Sequence, residues 1–411
     1  MVSPAEKLPT IEDIKYARKI LSDKINITHL EHSTTFSRRF DADIWFKPEN
    51  FQKTGSFKIR GAIVKLSTLS DRELSNGVIT VSAGNHAQGV ALASKIMGTN
   101  AKIVMPVNTT PAKIEAVENY GASIILAGED YHEARSVALK LSEDEGRTFI
   151  EGFDDRWIIA GQGTIGLEIL DELPSVEQVI VPVGGGGLIS GIAIGIKSLK
   201  KDVSVIGVQS ATYDSFKRSL ETDRMRTHVV GHTIADGIAI REPGKLNIRV
   251  AKRYVDRVIT VDDESIATAV FNLLERNKMV VEPAGAAGFA AIVSGRINVS
   301  GRKVAVVLSG GNINPLLLSK IIYKSMGKED RLVRFVFNIP DRPGVLYRIS
   351  KMIWEHGGSI YHAEVDNLKG DTPTGYQNVS FTVSVRNRAH RTEMENAIRD
   401  AGWDFTVESD S

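Results

Sequence analysis

The chain has 411 residues, more than one hydrophobic core usually serves, and its 42% hydrophobic and 25% charged content is that of ordinary globular proteins. Fifty-one Lys plus Arg against fifty Asp plus Glu leave a formal charge of +1, so the surface as a whole has no field to draw a nucleic-acid backbone or an anionic membrane. Cysteine is absent, which excludes disulfides, thiolate metal sites and cysteine nucleophiles together.

The first ten residues contain no basic segment followed by an apolar stretch, so no secretory signal is read and a cytoplasmic protein is expected. From about residue 40 to 320, short β-branched runs alternate with longer amphipathic stretches. The runs are 77–81, 102–105, 123–126, 179–183, 203–207 and 303–308. They are apolar throughout rather than at every second residue, as strands covered on both faces should be. Their alternation with helical stretches predicts α/β architecture with parallel sheets and crossover helices. Residues 179–196 carry no charge over 18 positions, the least that raises a membrane helix. Inside a helix, however, Pro182 would cost about 3 kcal/mol and each of the four glycines after Val183 about 1, so no membrane span is expected. A polar stretch at 324–331 predicts a domain boundary. Beyond it the pattern reads strand (332–338), helix (344–356), two strands (359–365 and 378–386), helix (391–401) and a last strand near Phe405. This is the ferredoxin-like βαββαβ order.

Four segments carry chemistry. Residues 47–62 place three lysines and two phenylalanines around a Thr-Gly-Ser turn, with Lys58 between Phe57 and Ile59. Apolar surroundings lower a lysine's pKa, and a lysine that attacks a carbonyl must be partly neutral. Taken alone, a solvated surface lysine is the commoner reading. Residues 82–89 follow a predicted strand and open a predicted helix, whose free N–H groups suit a carboxylate; the plain alternative is that Ser82 only caps that helix. Gly184, Gly185, Gly186 and Gly187, followed by Leu188, also lie between a strand and a helix. Successive glycines let backbone amides converge on a phosphate, and neither the dinucleotide fingerprint nor the P-loop pattern fits them. Ser309, in Ser-Gly-Gly-Asn at the end of the last run, offers a hydroxyl to a ring nitrogen.

Together and in this order, these segments resemble the fold-type II pyridoxal-phosphate (PLP) enzymes, tryptophan synthase β-like in fold. Within that group they resemble the threonine ammonia-lyases (threonine dehydratases) and serine racemases, over roughly residues 10–325. The resemblance implies a catalytic domain over 1–325 with a smaller subdomain, roughly 50–150, inserted in it. It implies that Lys58 holds the cofactor covalently and then removes the substrate's α-proton, that Phe57 packs on the ring and that Asn85 contacts the ring oxygen. Gly184 to Leu188 would cradle the phosphate, and Ser309 would face the pyridine nitrogen. Ser82, Ala83, Gly84, Asn85 and His86 would receive the carboxylate of an amino-acid substrate. The implied reaction is loss of water and then ammonia from threonine, giving 2-oxobutanoate, with serine as a second substrate. Serine racemases carry a serine where Ala83 stands, and alanine cannot exchange a proton, so elimination is favoured over racemisation. A non-catalytic amino-acid sensor on the same scaffold is the other alternative. Gln209 stands where the family often has a glutamate ligand for a cation, so no metal is assigned. Glu282 matches a family glutamate near the cofactor, with a direct role and a structural hydrogen bond left equally open.

Residues 331–411 resemble an ACT domain, with residues 339–346 as the most specific feature. That resemblance implies regulation by an amino-acid effector, isoleucine being the obvious candidate, at a site including Asp341, Gly344 and Val345. It also implies a homodimer or homotetramer.

Overall fold

The computed structural model describes residues 7–222, 224–366 and 372–408. The reading of the first ten residues as leaderless falls mostly on positions 1–6, outside the described residues. The chain divides into two compact units, one ending at Ile313 and one beginning at Asn314.

In the first unit, β1 (Glu31–His32) and β2 (Asp43–Pro48) open one sheet. The strands β3 (Val78–Val81), β4 (Ala101–Met105), β5 (Ser123–Leu126) and β6 (Thr148–Phe149) form a second. The chain then returns to the first sheet with β7 (Gln178–Pro182), β8 (Ser204–Ser210), β9 (Arg257–Val261) and β10 (Lys303–Leu308). The larger sheet runs β1-β2-β10-β7-β8-β9 and the smaller β5-β4-β3-β6. Apart from the antiparallel β1/β2 pair, every pairing in the two sheets is parallel. Every residue of β3 and β7 is buried, which accounts for sequences that are apolar on both faces apart from Thr80 and Gln178. All six expected runs form strands. Four strands of this unit lie outside the six runs: β2, where a lysine interrupts the apolar run, the short β1 and β6, and β9.

Each sheet reverses direction at one strand. From β3 the chain adds β4 and β5 on one side and β6 on the other; from β7 it adds β8 and β9 on one side and β10 on the other. Such reversals leave a crevice outside the strands' carboxyl ends, where open α/β sheets bind ligands. The turns at those two ends are residues 82–84 and 183–186.

One helix, Arg156–Glu172, ties the site elements together. Against it lie helix Lys58–Leu66 and helix Gly187–Lys197. A Cβ on Gly161 would come within 2.6 Å of the Gly61 Cα, and one on Gly191 within 2.3 Å of the Ile159 carbonyl oxygen. Backbones this close admit no side chain at either position, so glycine here is a packing requirement. The span 179–196 is the strand β7, its turn and this last helix. No helix among the described residues is long and apolar enough to cross a membrane.

The second unit begins with helix Pro315–Lys328, which Asn314 caps by accepting from the N–H groups of Leu316 and Leu317. Most of the polar stretch at 324–331 is the end of this helix. There follow β11 (Leu332–Pro340), helix Val345–Glu355, β12 (Ser359–Asp366), β13 (Tyr376–Ser384), helix Arg388–Asp400 and β14 (Phe405–Glu408). The sheet is antiparallel with order β12-β13-β11-β14, the ferredoxin-like arrangement. Phe335, Phe337, Ile349, Ile353, Phe381 and Ile398 lie in its core.

Candidate active site

Lys58 begins its helix, and its Nζ donates to the Gly152 carbonyl at 2.7 Å. The Phe57 ring centre lies 5.3 Å from the same Nζ. Loss of water around the amine pushes its pKa down to about 8, against the pull of the Glu282 charge. A lysine near 8 is neutral in a useful fraction at physiological pH, as a nucleophile or base must be.

The helix N-cap after β3 is Gly84, with no side-chain cap, so Ser82 does not cap it. The Ser82 hydroxyl instead accepts from the Gly84 N–H within the turn, at 3.1 Å. The first turn of helix Asn85–Met97 is therefore left without a side-chain cap, as an anion site at a helix N-terminus needs. His86, in this first turn, is buried, and its Nε2 is 3.3 Å from the Ile150 carbonyl. A carbonyl only accepts, so Nε2 carries the proton. Burial first, then the charge of Lys58, pushes the imidazole pKa down to about 3, so it is neutral. The positive potential for a carboxylate thus comes from the helix N-terminus rather than from an imidazolium.

Gly185, Gly186 and Gly187 are buried. A Cβ on Gly185 would sit 2.5 Å from atoms of the Phe153 ring. One on Gly186, whose φ is +100°, would sit 2.2 Å from Phe216, and one on Gly187 2.9 Å from the Phe153 carbonyl. Only glycine can form this turn, and it leads into helix Gly187–Lys197, whose first N–H groups have no intrahelical acceptor. A buried turn with free amides requires an external acceptor, and a phosphate supplies several.

The segment after β10 is clamped to the segment before Lys58. The Phe57 N–H donates to the Ser309 carbonyl at 3.1 Å and the Gly311 N–H to the Gly55 carbonyl at 2.8 Å, while Ser56 and Gly310 form an antiparallel bridge. Ser309 is buried. Glu282 is buried beside both segments: its N–H donates to the Gly310 carbonyl at 3.0 Å, and its Oε1 accepts from Asn85 Nδ2 at 2.7 Å. Burial first, then Asp236, pushes its carboxyl pKa up to about 7.

Beneath the site lies a buried ionic network. Lys47, Glu49 and Arg60 are each fully buried. Arg60 grips Glu49 through Nε and Nη2, both at 2.8 Å, and Glu168 through Nη1 and Nη2 at 2.5 and 2.9 Å. Lys47 meets Glu168 at 2.7 Å. Burial alone would raise the Glu168 pKa, but Arg60 and Lys47 outweigh it and hold the carboxyl below its ordinary value. Two cations facing two anions join the strand β2, the Lys58 helix and helix Arg156–Glu172.

With that geometry in view, the family model described as "Pyridoxal-phosphate dependent enzyme" matches residues 21–310. The chain belongs to that family. It is 42% identical over 398 residues to the L-threonine ammonia-lyase of Thermotoga maritima, covering 97% of this chain and 99% of that one. Among solved structures, threonine deaminase isoform 2 from Solanum lycopersicum superposes with a TM-score of 0.72 at 35% identity, covering 77% of this chain and 91% of that one. Maize serine racemase superposes with a TM-score of 0.74 at 34% identity, covering 79% and 100%. The resident cofactor of the family is PLP, and the residues present fit it: a glycine cradle for its phosphate and a half-buried lysine near pKa 8 for its aldehyde.

The structure brings Lys58, Phe57, Asn85, Ser309 and Glu282 into one linked cluster through the contacts above. The side chain of Gln209 is consumed locally, donating to the Tyr213 carbonyl and accepting from the Lys217 N–H. Among the described residues, no group of three or more His, Asp or Glu side chains could hold a metal. In the second unit, Gly344 caps its helix at φ +85°, the Asp341 N–H donates to the Gly375 carbonyl, and Val345 is buried. Sequence reasoning missed Gly152, because a backbone carbonyl has no residue signature. Arg60 and Glu168, whose charges have no local signature, escape it too, as does Asn312, which ends the segment that Ser309 opens.

Replacing Arg60 by Met would leave Glu49 and Glu168 without their shared cation. Urea unfolding of the apo-protein at neutral pH is expected to show a loss of about 3–5 kcal/mol, and a loss under about 1 would contradict the role given to the network.

Proposed function

We propose that the chain is a PLP-dependent threonine ammonia-lyase that converts L-threonine to 2-oxobutanoate and ammonia and also takes L-serine. The observation that carries this reading is the 42% identity to a threonine ammonia-lyase across both units, joined to a lysine amine near pKa 8 at the site. When bound, PLP supplies the electron sink that lets an amino acid's α-proton leave and its β-hydroxyl depart.

In this reading Lys58 would hold the cofactor aldehyde, and its lowered pKa suits it to take the substrate's α-proton as general base. The amides of Gly184, Gly185, Gly186, Gly187 and Leu188 grip the phosphate. The turn from Ser82 to His86 holds the substrate carboxylate at the helix N-terminus, and neutral His86 adds no competing charge. Asn85 would donate to the ring oxygen, and Phe57 would pack on the ring. Ser309 offers the ring nitrogen a neutral hydroxyl, which cannot hold a proton there as a carboxylate would, and this disfavours transamination relative to elimination. The structural likeness to maize serine racemase favours racemisation as the second reading. Ala83 supports elimination, since its methyl group can neither give nor take a proton.

The second unit is read as an ACT-like regulatory domain that takes an amino-acid effector near Asp341, Gly344 and Val345, with isoleucine as the first candidate. The pairing habit of such domains supports a homodimer or homotetramer. With no membrane helix among the described residues, a cytoplasmic place is part of the same reading.

Incubation with L-threonine and with L-serine should release keto acid and ammonia far faster than any D-amino acid; the reverse ratio would transfer the assignment to racemase. A second measurement concerns pH. Neutral amine increases as pH rises through the amine's pKa, so apo-protein should capture PLP faster with rising pH and level off above a midpoint near 8. A midpoint at the value of a solvated lysine, roughly 10, would place the reacting amine in water.

A further inference from the structure

Asn312, three residues beyond Ser309, has no task in the reading above. It is exposed at the edge of the cluster, yet its amide is held on three sides. A Cβ on Gly55, whose φ is +69°, would sit 2.6 Å from the Asn312 Oδ1, so the side chain fills the space that glycine leaves. Its Nδ2 donates to the Thr54 carbonyl at 3.0 Å and also to the Asn85 Oδ1.

These contacts fix more than one side chain. A peptide carbonyl can only accept, so the Thr54 bond determines which end of the Asn312 amide carries the N–H groups. The second N–H then meets Asn85, which must answer with its oxygen. Asn85 is left with its NH2 end facing the other way. One of those N–H groups goes to Glu282 at 2.7 Å, and the other has no partner among the described residues. Glu282 alone could not enforce this. A carboxyl with a pKa pushed up to about 7 is partly protonated at neutral pH and can donate to a flipped Asn85 as readily as it accepts from an unflipped one.

We propose that Asn312 is a positioning residue: through the Thr54 carbonyl it locks the amide of Asn85 so that an N–H, and never the carbonyl, is presented to the ring oxygen of the cofactor. The inference rests on the reading of Asn85 as the ring-oxygen contact.

The test uses holoenzyme of N312A, N312D, N85A and the double variant N85A/N312D, read by kcat and by the visible absorption band of the bound cofactor titrated with pH. Aspartate has the shape of asparagine but can only accept when ionised. N312D therefore loses the bond to the Thr54 carbonyl, as N312A does, and in addition turns the Asn85 NH2 group toward itself and the Asn85 carbonyl toward the ring oxygen. The expected order is that N312D loses more kcat than N312A, by roughly tenfold, the worth of one hydrogen bond replaced by a repulsion. Both variants move the pH midpoint of the band. In the N85A background, N312D should change kcat and midpoint by no more than about twofold, because its route of action is gone.

A role in filling space against Gly55 predicts the opposite order, with N312A worse than N312D and the band unmoved, and that result would overturn the proposal. So would a full N312D effect persisting in N85A, which would mark a direct charge effect. If N85A itself leaves the band and its midpoint in place, the assignment of Asn85 fails. If N85A shifts them while N312D does not, only the role of Asn312 fails.

Discussion

The contacts at which helix Arg156–Glu172 touches its two neighbours backbone to backbone set the position of everything else in the catalytic unit. Gly161 against Gly61 brings in the helix that Lys58 begins, and the Gly163 region against Gly191 brings in the helix that Gly187 begins. The amine on one helix and the glycine turn that opens the other are thus held to a single support, with no side chain between to relax. Arg60, Glu49, Glu168 and Lys47 complete the support from beneath. Such a network gains little stability over an apolar core, but breaking one member is costly, and its value lies in allowing one arrangement of the Lys58 helix.

Above that support the site keeps few charges and separates them. Lys58 is lowered toward neutrality, Glu282 is raised toward it and His86 is neutral. Burial dominates all three shifts. The remaining polar contacts are backbone groups and amides: the Gly152 carbonyl on Lys58, the clamp between residues 54–57 and 309–312, and the hydrogen-bonded chain from Asn312 through Asn85 to Glu282. A site built this way meets an anionic cofactor and a zwitterionic substrate with dipoles already in place, which avoids the reorganisation that mobile charged side chains would require.

Much of this was legible in the sequence where a residue type has one physical use. Four successive glycines between a strand and a helix and largely apolar buried strands have restricted explanations, and they located six of the strands and the turn after β7; Lys58 and the turn after β3 stood out only through the resemblance carried by all four segments together. The βαββαβ order of the second unit was legible for the same reason. What escaped depends on partners distant in the chain. Lys47 breaks the apolar run of β2 and hid that strand; in its buried place it pairs with Glu168, 121 residues on, and donates to the Thr28 carbonyl. Ser82 follows the local pattern of a cap, but the backbone takes one more turn and Gly84 occupies that position. Asn312 and the Gly152 carbonyl acquire meaning only when the fold brings them to Asn85 and Lys58.

The central claim is that one half-buried amine carries the cofactor. Borohydride reduction of the holoenzyme, followed by proteolysis and peptide mapping, tests it directly. The account predicts a pyridoxyl label on Lys58 alone; a label on another lysine, or an unlabelled Lys58 in active enzyme, would contradict it.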